Sequence, residues 1–156
     1  MTMVEVKLGR DRDALAQRSW RLYFETSQRI RQNLEGNLKD RAGLTVSDYN
    51  TLLLLWEEPT HLLTMSVLAK KLVFSPSRLN YRIKVLEDAG LVTKTECAED
   101  KRAHNVGLTE AGAQAFLNAG RQHRENIDEV FLSHVDDEEL EVIERVFARI
   151  GQALPE

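Results

Sequence analysis

Cysteine is nearly missing from this chain: Cys97 is the one among 156 residues. An intrachain disulfide framework is therefore excluded, and a reducing compartment suits the chain. Long apolar runs are missing too. No stretch reaches the roughly 18 residues that a membrane-spanning helix needs. The opening residues, MTMVEVKLGRDRD, carry no apolar core of the secretory kind. The expectation is a cytoplasmic protein with no membrane partner. There is no internal repeat and no low-complexity linker. A GxxxxGK phosphate loop and any visible pairing of a nucleophile with a base are absent as well. The sequence thus gives an enzyme little support and implies no cofactor.

An excess of positive charge is also missing, since 21 basic side chains face 25 acidic ones. Their distribution is uneven. Residues 66–107 hold eight basic and five acidic side chains, whereas residues 108–156 hold four basic and eleven acidic. A local basic face can bind a polyanion although the whole chain is acidic. The acidic last third would stay away from such a partner. Hydrophobic residues make up 42% and charged residues 29%, which excludes wholesale disorder and allows a real core.

Helical spacing dominates the rest. Leu15, Leu22, Tyr23, Ile30, Leu34 and Leu38 mark a long first helix that Gly43 ends. Thr45, with Asp48 three residues on, caps a second helix that Pro59 stops. Thr64 caps a short third, and Val73-Phe74 make a turn. Ser75 is the N-cap of the next helix, Pro76 takes its first position and Gly90 closes it. The rhythm then changes: LVTKTECA and AHNVGL roughly alternate and flank a charged EDKR, which reads as a two-stranded hairpin. Thr109 caps a long helix running to about Ser133. Asp136 and Glu139 form the capping box of a last one. The expected fold class is mainly α with a small β-hairpin wing. Two helices joined by a tight turn and followed by a hairpin make a winged helix-turn-helix, whose second helix enters the DNA major groove.

That second helix has two distinct sides. At about 100° per residue, Leu79, Ile83 and Leu86 share the core side. Ser77, Arg78, Tyr81 and Lys84 lie on the side away from the core, and Arg82 lies on a flank. Arginine suits bidentate contact to guanine, whereas serine and lysine suit phosphate. The helix N-terminus at Ser75 also favours a phosphate. Ser75, Ser77, Arg78, Tyr81, Arg82 and Lys84 are the candidate DNA contacts on this helix, with Arg82 near the groove edge.

The run LAKKLVFSPSRLNYRIKVLEDAGLV followed by DKRAHNVGLTEAG resembles the MarR family of bacterial transcription regulators. That family's wing pattern, Asp-x-Arg then a strand then Leu-Thr-x-x-Gly, reads here as Asp100, Arg102, Val106, Leu108, Thr109 and Gly112. The resemblance covers nearly the whole chain. It implies that Arg102 reaches the minor groove and that Asp100 braces the wing tip. A narrow minor groove concentrates negative potential and attracts arginine. Lys101 joins Arg102 on the phosphates. Tyr81 and Arg78 are bulkier than is common in the family, which bears on the operator sequence and not on the fold.

The first helix and the last two carry apolar stripes that one small domain cannot cover, so a two-fold homodimer is expected. The resemblance implies the same interlocking of N- and C-terminal helices. The expected organisation is a flexible N-terminus over 1–12, an N-terminal dimerisation helix over 13–44, a winged helix-turn-helix over 45–108 and C-terminal dimerisation helices over 109–156. A repressor binding a palindromic operator in double-stranded DNA, released by a small-molecule effector, is the function the resemblance implies. Trp20, Tyr23, Phe24, Trp56 and Phe116 could line the effector cavity, although core packing suits any single one of them better. Arg21 or Arg29 could recognise an acidic effector; a salt-bridged surface suits them better.

Other constellations are weaker. His123 and His134 fall about three turns, or 16 Å, apart along one helix and cannot share a metal. No metal site is expected. Cys97 could be a redox sensor if nearby cations favoured its thiolate, but Glu96 and Glu99 are closer in sequence than Lys94 and Lys101, so a plain strand residue suits it better. Peroxide-sensing relatives carry their reactive cysteine near the N-terminus, where this chain has none. A winged helix used for protein assembly is the rival reading, and salt-insensitive or absent DNA binding would favour it.

Overall fold

The computed structural model describes residues 3–97 and 103–154. Six helices and three strands follow one another: α1 (Met3–Ala42), α2 (Val46–Glu57), β1 (Leu62–Thr64), α3 (Met65–Leu72), α4 (Pro76–Asp88), β2 (Val92–Glu96), β3 (His104–Leu108), α5 (Glu110–Val130) and α6 (Asp137–Ala153). A single 3₁₀ turn at Leu132–His134 separates α5 from α6.

The local signals explain where the helices start. Thr45 accepts from the Asp48 N–H while Asp48 accepts from the Thr45 N–H, a closed capping box. Thr64 accepts from Val67, Ser75 from Arg78, Thr109 from Gly112, and Asp136 forms the second box with Glu139. Each of these satisfies an amide that the helix cannot bond internally. Gly43 and Gly90 take the positive φ that ends α1 and α4.

The helix-turn-helix is α3 and α4, joined at Val73, which sits in the left-handed region at φ 54°. Leu52 and Leu55 of α2, Leu68 of α3, Leu79, Ile83 and Leu86 of α4, and Val92 and Val106 of the sheet are buried together. This core holds the outer face of α4 towards solvent. The hairpin pairs β2 with β3 as expected. The sheet nevertheless has three strands, in the order β1-β3-β2, with Leu63 and Lys94 both opposite Val106. Three residues between a turn and a helix cap are too few to show any period, so β1 had no sequence signature.

Helix α1 begins at Met3, ten residues before the Asp13 at which its apolar pattern starts. It packs along α5. There Asn126 donates to Asn33 and accepts from Asn37, closing a polar contact in the interface. Helix α5 ends at Val130, before the expected Ser133, because Phe131 leaves helical geometry. His134 therefore lies outside α5 and does not share a helix face with His123. Helix α6 buries none of its residues within the chain, and Phe147 meets Tyr23 of α1 with ring centroids 5.5 Å apart. Among the described residues no helix is long and apolar enough to cross a membrane.

Candidate nucleic-acid interface

Helix α4 sits on the core through Leu79, Ile83 and Leu86, all almost fully buried. Its other side carries Ser77, Arg78, Tyr81 and Lys84, all exposed. Tyr81 is 65% exposed, a large apolar ring left in water with its hydroxyl available. Ser75 and Ser77 hydroxyls lie 3.3 Å apart at the helix N-terminus. Arg78 lies over the Phe74 ring, 4.0 Å from its centroid. Such a contact restrains the guanidinium and leaves its edge free for hydrogen bonding. Lys84 reaches Asp88 one turn on at 3.4 Å, a solvent-exposed pair worth little that phosphate can displace.

Arg82 departs from the expected groove-edge role. Its side chain is turned inward, 17% exposed, and pairs with Asp48 of α2, itself 4% exposed. The Nε donates to Asp48 Oδ1 at 2.9 Å, and Nη2 donates to both Asp48 oxygens and to Thr45 Oγ1. A helical wheel places Arg82 on the flank but cannot see the carboxylate that α2 brings there. The paired Asp48 was legible only as a cap.

The hairpin is tied to α4 by a residue that sequence reasoning passed over. Lys94 of β2 donates through Nζ to Asn80 Oδ1 at 3.0 Å, and its backbone N–H donates to Glu87 at 3.2 Å. Between the start of α3, α4 and the hairpin lies a groove of about 340 Å³. Thr64, Ser66, Asn80, Lys94 and His104 line it, a set of donors suited to phosphate oxygens. At the base of the hairpin Cys97 N–H donates to the Ala103 carbonyl at 2.9 Å. Cys97 itself is half-buried. The wing-tip residues Asp100, Lys101 and Arg102 lie outside the described residues.

The five aromatic residues expected around one effector cavity do not meet. Along α1, Trp20 stacks on Phe24 and tilts against Tyr23, and all three are about half exposed or more. Trp56 and Phe116 form a separate group with Tyr49 and His61. Helical spacing alone does not reveal which face of α1 each ring takes, and among the described residues no ring contact joins the two groups. The second group borders an open groove of about 510 Å³ between α2 and α5, with Arg121 and Arg124 on its rim. His123 is buried, and its Nδ1 has no hydrogen-bond partner among the described residues. Burial lowers the His123 pKa, and burial raises that of Tyr49 against a smaller opposing effect of the Arg124 charge. Among the described residues no cluster of three or more metal-ligating side chains occurs.

Residues 42–103 match the model described as the MarR family. The Bacillus subtilis organic hydroperoxide resistance transcriptional regulator is 37% identical over 76 residues, 49% of this chain and 50% of that protein. The Escherichia coli HTH-type transcriptional regulator PrsX is 27% identical over 126 residues, 80% of this chain and 75% of that protein. The chain thus spans half the length of the first relative and three quarters of the second. Among solved structures, AbsC of Streptomyces coelicolor, a MarR family transcriptional regulator, superposes with a TM-score of 0.84 at 29% identity, covering 88% of this chain and 92% of that one. Sco3205 of the same organism, solved in complex with DNA, superposes with a TM-score of 0.87 at 26% identity, covering 90% of this chain and 88% of that one.

Proposed function

We propose that this chain, which belongs to the MarR family of winged helix-turn-helix transcriptional regulators, works as a homodimeric DNA-binding repressor whose operator is an imperfect palindrome. The family consists of regulators rather than enzymes. The observation that carries the reading is the two-sided helix α4, with Leu79, Ile83 and Leu86 in the core and Ser77, Arg78, Tyr81 and Lys84 exposed beside the hairpin. Basic and hydroxyl groups on the free side of a rigidly seated helix can meet phosphates and base edges at once. Support also comes from Sco3205, which was solved bound to DNA.

In this reading Arg78 and Tyr81 reach base edges, Ser75, Ser77 and Lys84 take phosphates, and Lys101 with Arg102 engages phosphate and the minor groove. Apolar side chains of α1 and α6 that the single chain leaves exposed, among them Leu22, Phe147 and Ile150, join two copies. A two-fold dimer sets two α4 helices about 34 Å apart, one turn of DNA. The acidic last third stays away from the duplex. The protein acts in the cytoplasm beside the chromosome, and a small molecule bound near the dimer helices changes the spacing of the two α4 helices and releases the operator.

The test is footprinting and fluorescence anisotropy on the DNA next to the chain's own gene. Specific binding whose affinity falls steeply with salt is expected, because phosphate contacts release counterions. Salt-insensitive or absent DNA binding would replace this reading with a protein-assembly role. Arg102→Ala is expected to cost about 1–3 kcal/mol of operator binding with the dimer intact.

A further inference from the structure

We infer that Arg82 and Asp48 form a positioning pair that sets the direction in which α4 presents its DNA-reading side chains. The inference rests on the DNA-binding reading above. Asp48 is the third residue of α2, and its carboxylate already accepts from the Thr45 N–H at 3.0 Å. Arg82 closes over the same box, bonding Asp48 through Nε and Nη2 and Thr45 Oγ1 through Nη2 at 3.2 Å. The capping box of α2 and the middle of α4 are thus one polar unit. Glu35 of α1 extends it, since its Oε2 accepts from the Val46 N–H at 3.2 Å.

The apolar contacts of α4 leave a freedom that this unit removes. Leu79, Ile83 and Leu86 resist withdrawal of α4 from the core, but smooth side chains tolerate rolling and sliding of the helix. A guanidinium held in two directions by a carboxylate does not, because a planar fork has one good geometry. Arg82 stands beside Tyr81 and one turn from Arg78, so any roll that strains the pair re-aims both exposed side chains. Arg82 therefore acts through its neighbours. The rival role, direct contact with a phosphate, requires the guanidinium to leave a nearly buried acid.

The test uses the full-length chain and a duplex that the wild-type protein selects from a random pool. Affinity for that duplex and for a scrambled duplex is measured across a salt series for wild type, Arg82→Gln, Arg82→Lys, Asp48→Asn and the Arg82→Gln/Asp48→Asn double variant. Positioning predicts that each single variant loses tenfold or more in selected-over-scrambled preference with an unchanged salt slope. The double variant should lose little more than either single one. Asp48→Asn is the telling variant, since removing a negative charge near DNA would otherwise strengthen binding. A salt slope reduced by about one in Arg82→Gln, with Asp48→Asn neutral or tighter, would overturn the inference in favour of phosphate contact. Hydrogen exchange supplies a readout without DNA: faster exchange of α4 amides in Asp48→Asn, with the amides of α5 unchanged, supports the clasp. Unchanged α4 exchange overturns it. If wild type selects no duplex, the DNA reading fails while this exchange result still decides whether the pair holds α4.

Discussion

Tyr49 of α2 and His123 of α5 lie ring against ring, their centroids 4.5 Å apart. The imidazole is buried with Nδ1 unpartnered, and burial holds its pKa below the ordinary value of 6.5. A proton on His123 therefore favours the unfolded chain. The contribution is neutral above about pH 6.5 and becomes a growing loss of stability as the pH falls below it. We expect the stability of wild type relative to His123→Phe to decline between pH 7.5 and 5.5. Paired denaturant titrations at fixed protein concentration measure that difference, and the carboxylates common to both proteins cancel. A constant difference across this range would mean that His123 gains a partner when protonated.

Gly112 occupies the first turn of α5, where a Cβ would come within 2.0 Å of the Leu91 carbonyl oxygen. The same junction is drawn tight by Thr109, whose hydroxyl donates to Gly90 at 2.7 Å and accepts from Gly112 at 2.9 Å. Alanine gains roughly 1 kcal/mol of helix propensity, but overpacking against backbone outweighs it. Gly112→Ala should destabilise the protein by about 3 kcal/mol, seen as a lower denaturant midpoint with an unchanged slope.

Val73 offers the reverse case. Its φ of 54° puts a β-branched residue in the left-handed region, and its side chain is 88% exposed. Nothing there rewards the branched side chain, while the conformation costs about 1–2 kcal/mol. Val73→Gly releases that strain and loses part of the gain to backbone entropy. A net stabilisation of about 0.5–1 kcal/mol is expected, read as a raised Tm.

Phe147 is 43% exposed in the single chain and touches Tyr23, itself 46% exposed. If these rings belong to a two-fold interface, a charge there is expelled on assembly. Phe147→Glu should convert a dimer to monomer in sedimentation velocity and weaken operator binding in parallel. Persistence of the dimer at micromolar concentration would move the interface elsewhere on α1 and α6.

The sequence made the capped helices legible because each cap is a short-range signal. Thr45, Thr64, Ser75, Thr109 and Asp136 all cap the helices they were expected to cap. The outward face of α4 was legible for the same reason, since one helix has one period. What stayed hidden depends on a second element. Arg82 looked like a surface cation until α2 supplied Asp48. Asn33, Asn37 and Asn126 are scattered polar residues until α1 and α5 come together. Trp20, Tyr23 and Phe24 fall into a contact group apart from Trp56 and Phe116, which helical spacing could not show because it does not record which neighbouring element a ring meets. β1 is too short to have a pattern and exists only because β3 offers it an edge.

That added strand changes how the hairpin can respond to DNA. β3 is the middle strand, bonded on one side to β2 and on the other to β1, which runs directly into the cap of α3 at Thr64. The returning arm of the hairpin is therefore stitched to the front of the helix-turn-helix, not hinged at its own base. A displacement of β3 is transmitted through the three residues of β1 to α3, and a rotation of α3 carries β3 with it. If the hairpin and α4 grip the two grooves as proposed, the two contacts are mechanically coupled, so that losing either one would loosen the other.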